Sequence, residues 1–392
     1  MTFYSSRSKT GVVSVSESST TSSLPAFPVD FGSIRSMLEY RFTVKDAYVD
    51  INGLPTFVVM EEPIKQKFQE LLWDLRNHRL TARIQRVADN LVISVFPRPT
   101  VGKPRLRINL ILFLATMASV AYASYALIFN VDPRLTSALF SGSNLALQVA
   151  ILSISILGIV GIHELGHVLA NRHHKMDATL PYFVPAPPPF PFGTFGAVIS
   201  LRSPPGNRDQ LFDLGFSGPI AGFLATIVVA FFAYLTAPLI SAATAQQLLQ
   251  ANLLSIDNWP KEPLLLEIIT GLGLKTAPPG QIMVLTQLAF AAEVGALITF
   301  LNILPVWQLD GGHIARATFG DKGHKLIALL GFGMLFLAGY WGFALILLFF
   351  MFISRRPFEG VEPLDDVSPL SKSRKILFAV AILMLVLCFF IF

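Results

Sequence analysis

Cysteine is almost missing from this chain. Cys388 is the only one among 392 residues, so neither a disulfide nor a thiolate metal site can form within one copy. Charge is scarce too: 14% of residues are charged against 53% hydrophobic, where a soluble globular protein carries roughly 25% charged residues. That balance excludes a water-soluble fold for the chain as a whole and makes it a membrane protein by bulk count. No internal repeat is evident, which weighs against the duplicated halves usual in secondary transporters. An apolar core followed by a small-residue cleavage site is lacking at the N-terminus, so a secretory signal peptide is not expected.

What the chain has instead is long uncharged runs. Crossing a bilayer core takes about 20 helical residues, and residues 108–131, 135–162, 214–245 and 326–354 each supply enough. A shorter run closes the chain at 376–392, and residues 276–309 are interrupted only by Glu293. Lys103, Arg105 and Arg107 precede the first run and hold its start in the cytoplasm by the positive-inside rule. Arg172, Lys175, Arg202 and Arg208 then follow the second run, again inside. Splitting 326–354 at "AGYWG" returns Arg355, Arg356, Lys372, Arg374 and Lys375 to the same side, so seven membrane segments are favoured over six. These basic flanks account for the net charge of +5, and no nucleic-acid partner is implied.

The N-terminal quarter differs in kind. Residues 1–28 are rich in Ser and Thr and read as a disordered tail, a short organelle transit segment being the alternative. From residue 29 to about 100 the pattern becomes globular. "LPTFVVM" reads as a strand, Ile64, Phe68, Leu71, Leu72 and Leu75 share a helix face, and "ARIQRV" and "LVISVFP" read as a hairpin. The expectation is an all-α polytopic membrane protein, in residues 105–392, with six to seven membrane segments and a small N-terminal α+β cytoplasmic domain in residues 29–100.

One membrane run ends in "HELGH", residues 163–167. On a helix, spacing of four puts His163 and His167 on one face with Glu164 beside them, an arrangement that can hold a divalent metal while the glutamate takes a proton from metal-bound water. Ionisable groups inside a span are functional by default; the plain alternative is a pair of interfacial histidines on a helix end. A catalytic metal usually has three protein ligands and one open position, and two residues compete for the third place. His173 has the spacing of the H-E-x-x-H-x-x-G-x-x-H proteases, but Ala170 stands where they have glycine. Asp310 lies after a second inward-running span: residues 145–163 and 281–302 give similar rises of roughly 27 Å, which puts Asp310 at the depth of the histidine pair. Two imidazoles and a carboxylate suit zinc.

"HELGH", "GPIAG" (residues 218–222) and the Asn302, Pro305, Leu309, Asp310, Gly311 arrangement in "NILPVWQLDGG" resemble the site-2 protease family of intramembrane zinc metalloproteases. "FGTFGAVISL" and "PLDDVSPL" are similar to its PDZ-less branch in archaea, cyanobacteria and plastids. The resemblance implies His163, His167 and Asp310 as ligands of one Zn2+, Glu164 as general base and Asn302 near the site. It also implies peptide-bond hydrolysis in or near the transmembrane segments of membrane-anchored proteins, releasing a cytoplasmic fragment. The rival reading is a metal or proton transporter lined by the same ionisable residues.

A helical substrate must be unwound before its carbonyls can be attacked. Residues 178–201 are uncharged and carry six prolines between Pro181 and Pro191, which rules out continuous helix and suggests a membrane-associated extended element. Residues 194–201, beginning Thr194, Phe195, Gly196 and Ala197, are expected to form an edge that receives substrate as an added strand; a Pro-rich surface loop is the alternative. Glu293 reads as a structural glutamate and His313 as a neighbour of the site, not a ligand. The expected setting is a multi-pass protein of a prokaryotic cell membrane, N-terminus inside, with a plastid membrane as the alternative. Expected partners are the bilayer and a membrane-embedded protein substrate; homo-oligomer formation is left open.

Overall fold

A computed structural model describes residues 27–60, 63–98, 105–139, 144–190, 192–253, 262–353 and 360–389. The Ser/Thr-rich tail lies outside these residues except for its last two positions, as do Lys103, Arg355 and Arg356.

The first unit is a small α/β sandwich. Helix α1 (Phe31–Glu39) starts at Asp30, whose carboxylate accepts from the amide of Ser33 at 2.9 Å, a standard N-cap. Strands β1 (Val44–Val49) and β2 (Pro55–Val59) form a hairpin, helix α2 (Lys65–Asn77) follows, and β3 (Leu80–Val87) and β4 (Asn90–Pro97) form a second hairpin. The four pair antiparallel in the order β1-β2-β4-β3. Phe68, Leu71 and Leu75 of α2 are buried with Ile34, Leu38, Phe57, Ile84 and Ile93. Leu364, far along the chain, belongs to the same core.

The second unit is helical. Helix α3 (Leu106–Phe129) is followed by the short α4 (Pro133–Leu139), α5 (Leu145–His173), the strands β5 (Tyr182–Pro185) and β6 (Thr194–Val198), and α6 (Arg208–Thr236). Beyond them come β7 (Leu239–Ser241), α7 (Ala242–Gln250), α8 (Leu264–Gly271), β8 (Gln281–Met283), α9 (Gln287–Ile303), α10 (Asp310–Leu337), α11 (Trp341–Ile353) and α12 (Lys372–Cys388). Among the described residues, α3, α5 and α6 are long and apolar enough to cross a membrane, and α9 and α11 are shorter apolar helices. Leu110 and Leu114 of α3, Ile154 and Ile162 of α5, and Leu224, Val228 and Phe232 of α6 stay exposed, as lipid-facing side chains do.

Small residues let the helices touch. A Cβ on Gly166 of α5 would lie 2.2 Å from the Ser217 carbonyl oxygen of α6, and one on Gly295 of α9 would lie 2.4 Å from Thr226 Oγ1. Such contacts are how membrane helices gain packing where no hydrophobic force drives them together. Helix α10 is bent double at Gly320, which takes φ +71° and ψ −171°. Its first part lies against the start of α6, and its second returns so that Gly331 abuts Val306.

Several apolar runs are divided differently from their hydropathy. The run 135–162 is broken between α4 and α5: Pro133 starts one helix and the Asn144 side chain, accepting from Ala146 N at 2.9 Å, caps the next. Helix α5 also continues through the ionisable motif to His173, because those polar groups turn inward and do not end the helix. The run 214–245 ends as helix at Thr236, before Pro238, whose ring forces the preceding residue into extended geometry. In 276–309 only Gln287–Ile303 is helical; Gln281 lies in β8, paired with β7. The run 326–354 is interrupted between Leu337 and Trp341, where Gly339 takes φ +87°.

The β5–β6 hairpin is fastened to α3. Asn109 Nδ2 donates to the carbonyls of Leu180 (3.1 Å) and Pro181 (2.8 Å), and Ser119 Oγ to that of Ala186. Gly193 sits directly on the backbone of Val120.

Candidate metal centre

His163 and His167 occupy successive turns of α5 and are 4% and 7% exposed. Their Nε2 atoms are 3.2 Å apart, and Asp310 Oδ2, at the first residue of α10, is 3.2 Å from each. The three donor atoms form an equilateral triangle. A tetrahedral zinc about 2.0–2.1 Å from each ligand would space its donors about 3.3–3.4 Å apart, so the cluster fits one face of that coordination shell. Among the described residues this is the one group of three or more His, Cys, Asp or Glu side chains close enough to share an ion.

The donors are aimed by the backbone around them. His167 Nδ1 lies 2.9 Å from the Leu214 carbonyl of α6; an N–H donated there leaves Nε2 with its lone pair toward the centre of the triangle. A carbonyl partner on the far nitrogen is the usual way a protein fixes a metal-binding tautomer. Helix α6 presents Gly215, Gly218 and Gly222 on one face. A Cβ at 218 would strike the His167 ring at 2.1 Å, one at 222 would come within 3.1 Å of His163 Nδ1, and one at 215 would meet the Asp310 carbonyl at 2.5 Å. The absence of these side chains is what lets α5 and α10 converge. Asp310 is set by the next two residues: a Cβ on Gly311 would lie 1.8 Å from the Ile303 carbonyl oxygen, and one on Gly312 would lie 2.1 Å from that of Trp307. The carboxylate thus sits at the start of a new helix after a tight turn, not on a span parallel to α5. Glu164 is buried beside the triangle at 7% exposure.

The other residues singled out by sequence are placed less centrally. His173 is exposed and contacts the ring of His174, which in turn pairs with Asp213 at 2.8 Å. Asn302 turns its amide back to the Ile298 carbonyl of its own helix at 3.0 Å. His313 is packed against α6 at Gly215 and lies outside the metal cluster, as does Glu293. Thr194 is buried, donating to the Val184 carbonyl at 3.1 Å and accepting from Gly196 N at 3.0 Å. Phe195 is exposed and touches the Phe190 ring, Gly196 has open space where a side chain would be, and Ala197 pairs with Phe183. Strand β6 pairs with β5 alone among the described strands, and the hairpin packs on α3 and α5. The Leu214 carbonyl and the complete 215/218/222 stripe escaped the sequence reading, although glycines at spacings of three and four on a helix were the available signal.

Residues 151–339 match the family model described as peptidase family M50. The chain is 30% identical over 239 residues to the probable zinc metalloprotease EGY2, chloroplastic, of Oryza sativa subsp. indica, covering 58% of this chain and 39% of that protein. It is 31% identical over 244 residues to the probable zinc metalloprotease EGY1, chloroplastic, of Arabidopsis thaliana, covering 60% and 42%. A third relative, the probable zinc metallopeptidase EGY3, chloroplastic, of Arabidopsis thaliana, is 26% identical over 243 residues. The chain thus spans about two fifths of the length of the curated relatives it matches, and no solved structure matches it. The histidine pair, Glu164 and Asp310 all lie inside residues 151–339, the stretch that is similar to peptidase family M50.

Proposed function

We propose that this chain is an intramembrane zinc metalloprotease that cuts membrane-anchored proteins in or near their transmembrane segments. The observation that carries the reading is the buried triangle of His163 Nε2, His167 Nε2 and Asp310 Oδ2, 3.2 Å on each side, with both histidines on α5, a helix long and apolar enough to cross a membrane. These three residues would hold the metal. When bound, zinc supplies a polarised water and a Lewis acid for the scissile carbonyl. Glu164, beside the triangle, would serve as the general base that takes a proton from the attacking water and the acid that returns it to the departing amine.

Substrate would reach the site unwound. Strand β6, with Thr194, Phe195, Gly196 and Ala197, pairs with β5 alone among the described strands, which supports docking of substrate as an added strand, since an unpaired edge offers backbone donors and acceptors to an extended chain. Asn302 would act from beside the site. The domain plan is a tail at 1–28, an α+β unit at 29–100 and the protease unit at 105–392. The reversal at Gly320 and the break between Leu337 and Trp341 support seven membrane segments, with residues 29–98 and the metal centre toward the same face. That face is the cytoplasmic one of a prokaryotic cell membrane; the relatives are named chloroplastic, and a plastid membrane is the alternative.

The test is zinc content and cleavage of a transmembrane model substrate in detergent, for the parent, Glu164→Gln, Asp310→Asn and His173→Ala. The parent and His173→Ala should hold one zinc and cut. Glu164→Gln should keep zinc and cut roughly 10²–10⁴-fold more slowly, and Asp310→Asn should lose the metal. A parent that binds zinc yet never cuts, with Glu164→Gln altering metal flux in vesicles, overturns the protease reading in favour of transport.

A further inference from the structure

Between α11 and α12 the chain forms a strap, residues 360–371, wedged between the two units. Its Leu364 is buried in the N-terminal core and accepts from Ile84 N of β3 at 3.0 Å. On the other side Leu364 N donates to the Pro205 carbonyl at 2.8 Å and Asp365 N to that of Gly206 at 3.0 Å. Asp365 Oδ1 accepts from the amides of Val367 and Ser368, so the strap is folded on itself at this point.

The next residue, Asp366, carries one carboxylate to two helices. Arg316 of α10 donates to it through both Nη atoms, at 2.9 and 2.8 Å, in a two-pronged fork. Arg208, the first residue of α6, donates from Nε to Oδ1 at 3.0 Å and from Nη2 to the Asp366 carbonyl at 2.8 Å. Arg316 is 3% exposed. Counting inward, Leu214, whose carbonyl holds His167 Nδ1, is six residues from Arg208 on α6, and Asp310 is six residues from Arg316 on α10. Six residues are about 9 Å of helix. At the metal-centre end of this stretch, one residue past Leu214, Gly215 packs against the Asp310 carbonyl, the His313 Cβ and the Ile314 amide, so α6 and α10 are also close there. The spacing of α6 and α10 at the clamp is thus linked, through about 9 Å of each helix, to the spacing of the two groups that aim His167 and supply Asp310.

We propose that Asp366 is a positioning residue for the metal centre: it clamps α6 to α10 through Arg208 and Arg316, and so couples docking of the N-terminal unit to the geometry of the ligands. This rests on His163, His167 and Asp310 being the zinc ligands. Without its carboxylate, Arg316 is a buried cation lacking its counter-charge, which is strongly unfavourable, and the helix ends move apart. Metal ligand distances tolerate about ±0.2 Å, so a small displacement registers at the centre.

The experiment uses the full chain in detergent, loaded with zinc. Zinc release to excess chelator, kcat, KM and thermal unfolding are measured for the parent, Asp366→Asn, Asp366→Glu, Arg316→Lys and the distant control Asp132→Asn. The expected result is release roughly 10-fold faster for Asp366→Asn, the lower range for residues that orient metal ligands, with kcat lowered to match and KM unchanged. Asp366→Glu, which keeps the charge, should fall between Asp366→Asn and the parent, and Asp132→Asn should equal the parent. Where Asp366→Asn does not fold, Arg316→Lys, which keeps charge but not the fork, should release zinc severalfold faster. Release within twofold of the parent in the variant that folds overturns the proposal, as does a lowered unfolding temperature with release and kcat unchanged. A parent that holds no zinc fails at the metal-centre reading and takes this proposal with it, a result distinct from a zinc-bound parent matched by its variants.

Discussion

Gly218→Ala is the substitution whose outcome is most tightly fixed by the packing of the centre. The new Cβ would lie 2.1 Å from His167 Nε2, 2.5 Å from Cε1 and 2.7 Å from Cδ2. Non-bonded heavy atoms rest at about 3.5–4.0 Å, so the ring must retreat by more than about 1 Å or α5 and α6 must separate by a similar amount. The ring is held on its other nitrogen by the Leu214 carbonyl at 2.9 Å, and the helices are in backbone contact at Gly166 and Ser217. A displacement of 1 Å is about five times what a zinc ligand tolerates. Purified Gly218→Ala should therefore contain no zinc by metal analysis and should not cut a transmembrane substrate. Gly222→Ala is the graded comparison: its Cβ would come to 3.1 Å from His163 Nδ1, a clash relieved by a few tenths of an ångström. It should keep zinc while cutting roughly 10-fold more slowly, as when the surroundings of a ligand are disturbed but the ligand stays. Gly158→Ala and Gly161→Ala, with open space around them, should match the parent and add up to about 1 kcal/mol of helix stability each. Full zinc occupancy in Gly218→Ala, or greater loss at 222 than at 218, would refute the argument.

Two further outcomes are expected. A photo-crosslinking side chain at Phe195 or Val198, both exposed on β6, should capture an unwound model substrate, whereas one at Leu224 on the outer face of α6 should capture only lipid; capture confined to other positions would sink the added-strand reading. Leu364→Ala should destabilise the N-terminal sheet by about 2–5 kcal/mol, the usual cost of truncating a buried leucine, seen as lost hydrogen-exchange protection in β3 and β4; unchanged protection would mean that the strap is not part of that core.

The sequence was most informative where function constrains local spacing. HELGH puts two imidazoles one turn apart on any helix, and α5 presents them that way. Motif and depth both put Asp310 near the histidine pair, and its Oδ2 lies 3.2 Å from each imidazole, but by another route: α9 begins at Gln287, not Gln281, and Asp310 opens α10 after the turn at 304–309, on which Gly311 and Gly312 pack. Hydropathy alone registers neither the Asn144 cap nor the ring of Pro238, so runs at 135–162 and 214–245 looked longer or more continuous than their helices. The fork from Arg316 to Asp366 was out of reach, because its partners are charged residues in different apolar contexts, 50 positions apart. Their pairing exists only once α10 has doubled back at Gly320.

The strap also imposes an order on biosynthesis. Lys65 of the N-terminal unit bonds the Pro369 carbonyl, 304 positions later in the chain, and Leu364 fills a core whose other members emerge from the ribosome long before it. Contacts of such separation form late and slowly, and chains of this size usually assemble unit by unit as they are made. The α+β unit must therefore wait, incompletely packed, until nearly every apolar helix has been handed to the bilayer. The final docking step then registers that the helices before it are in place.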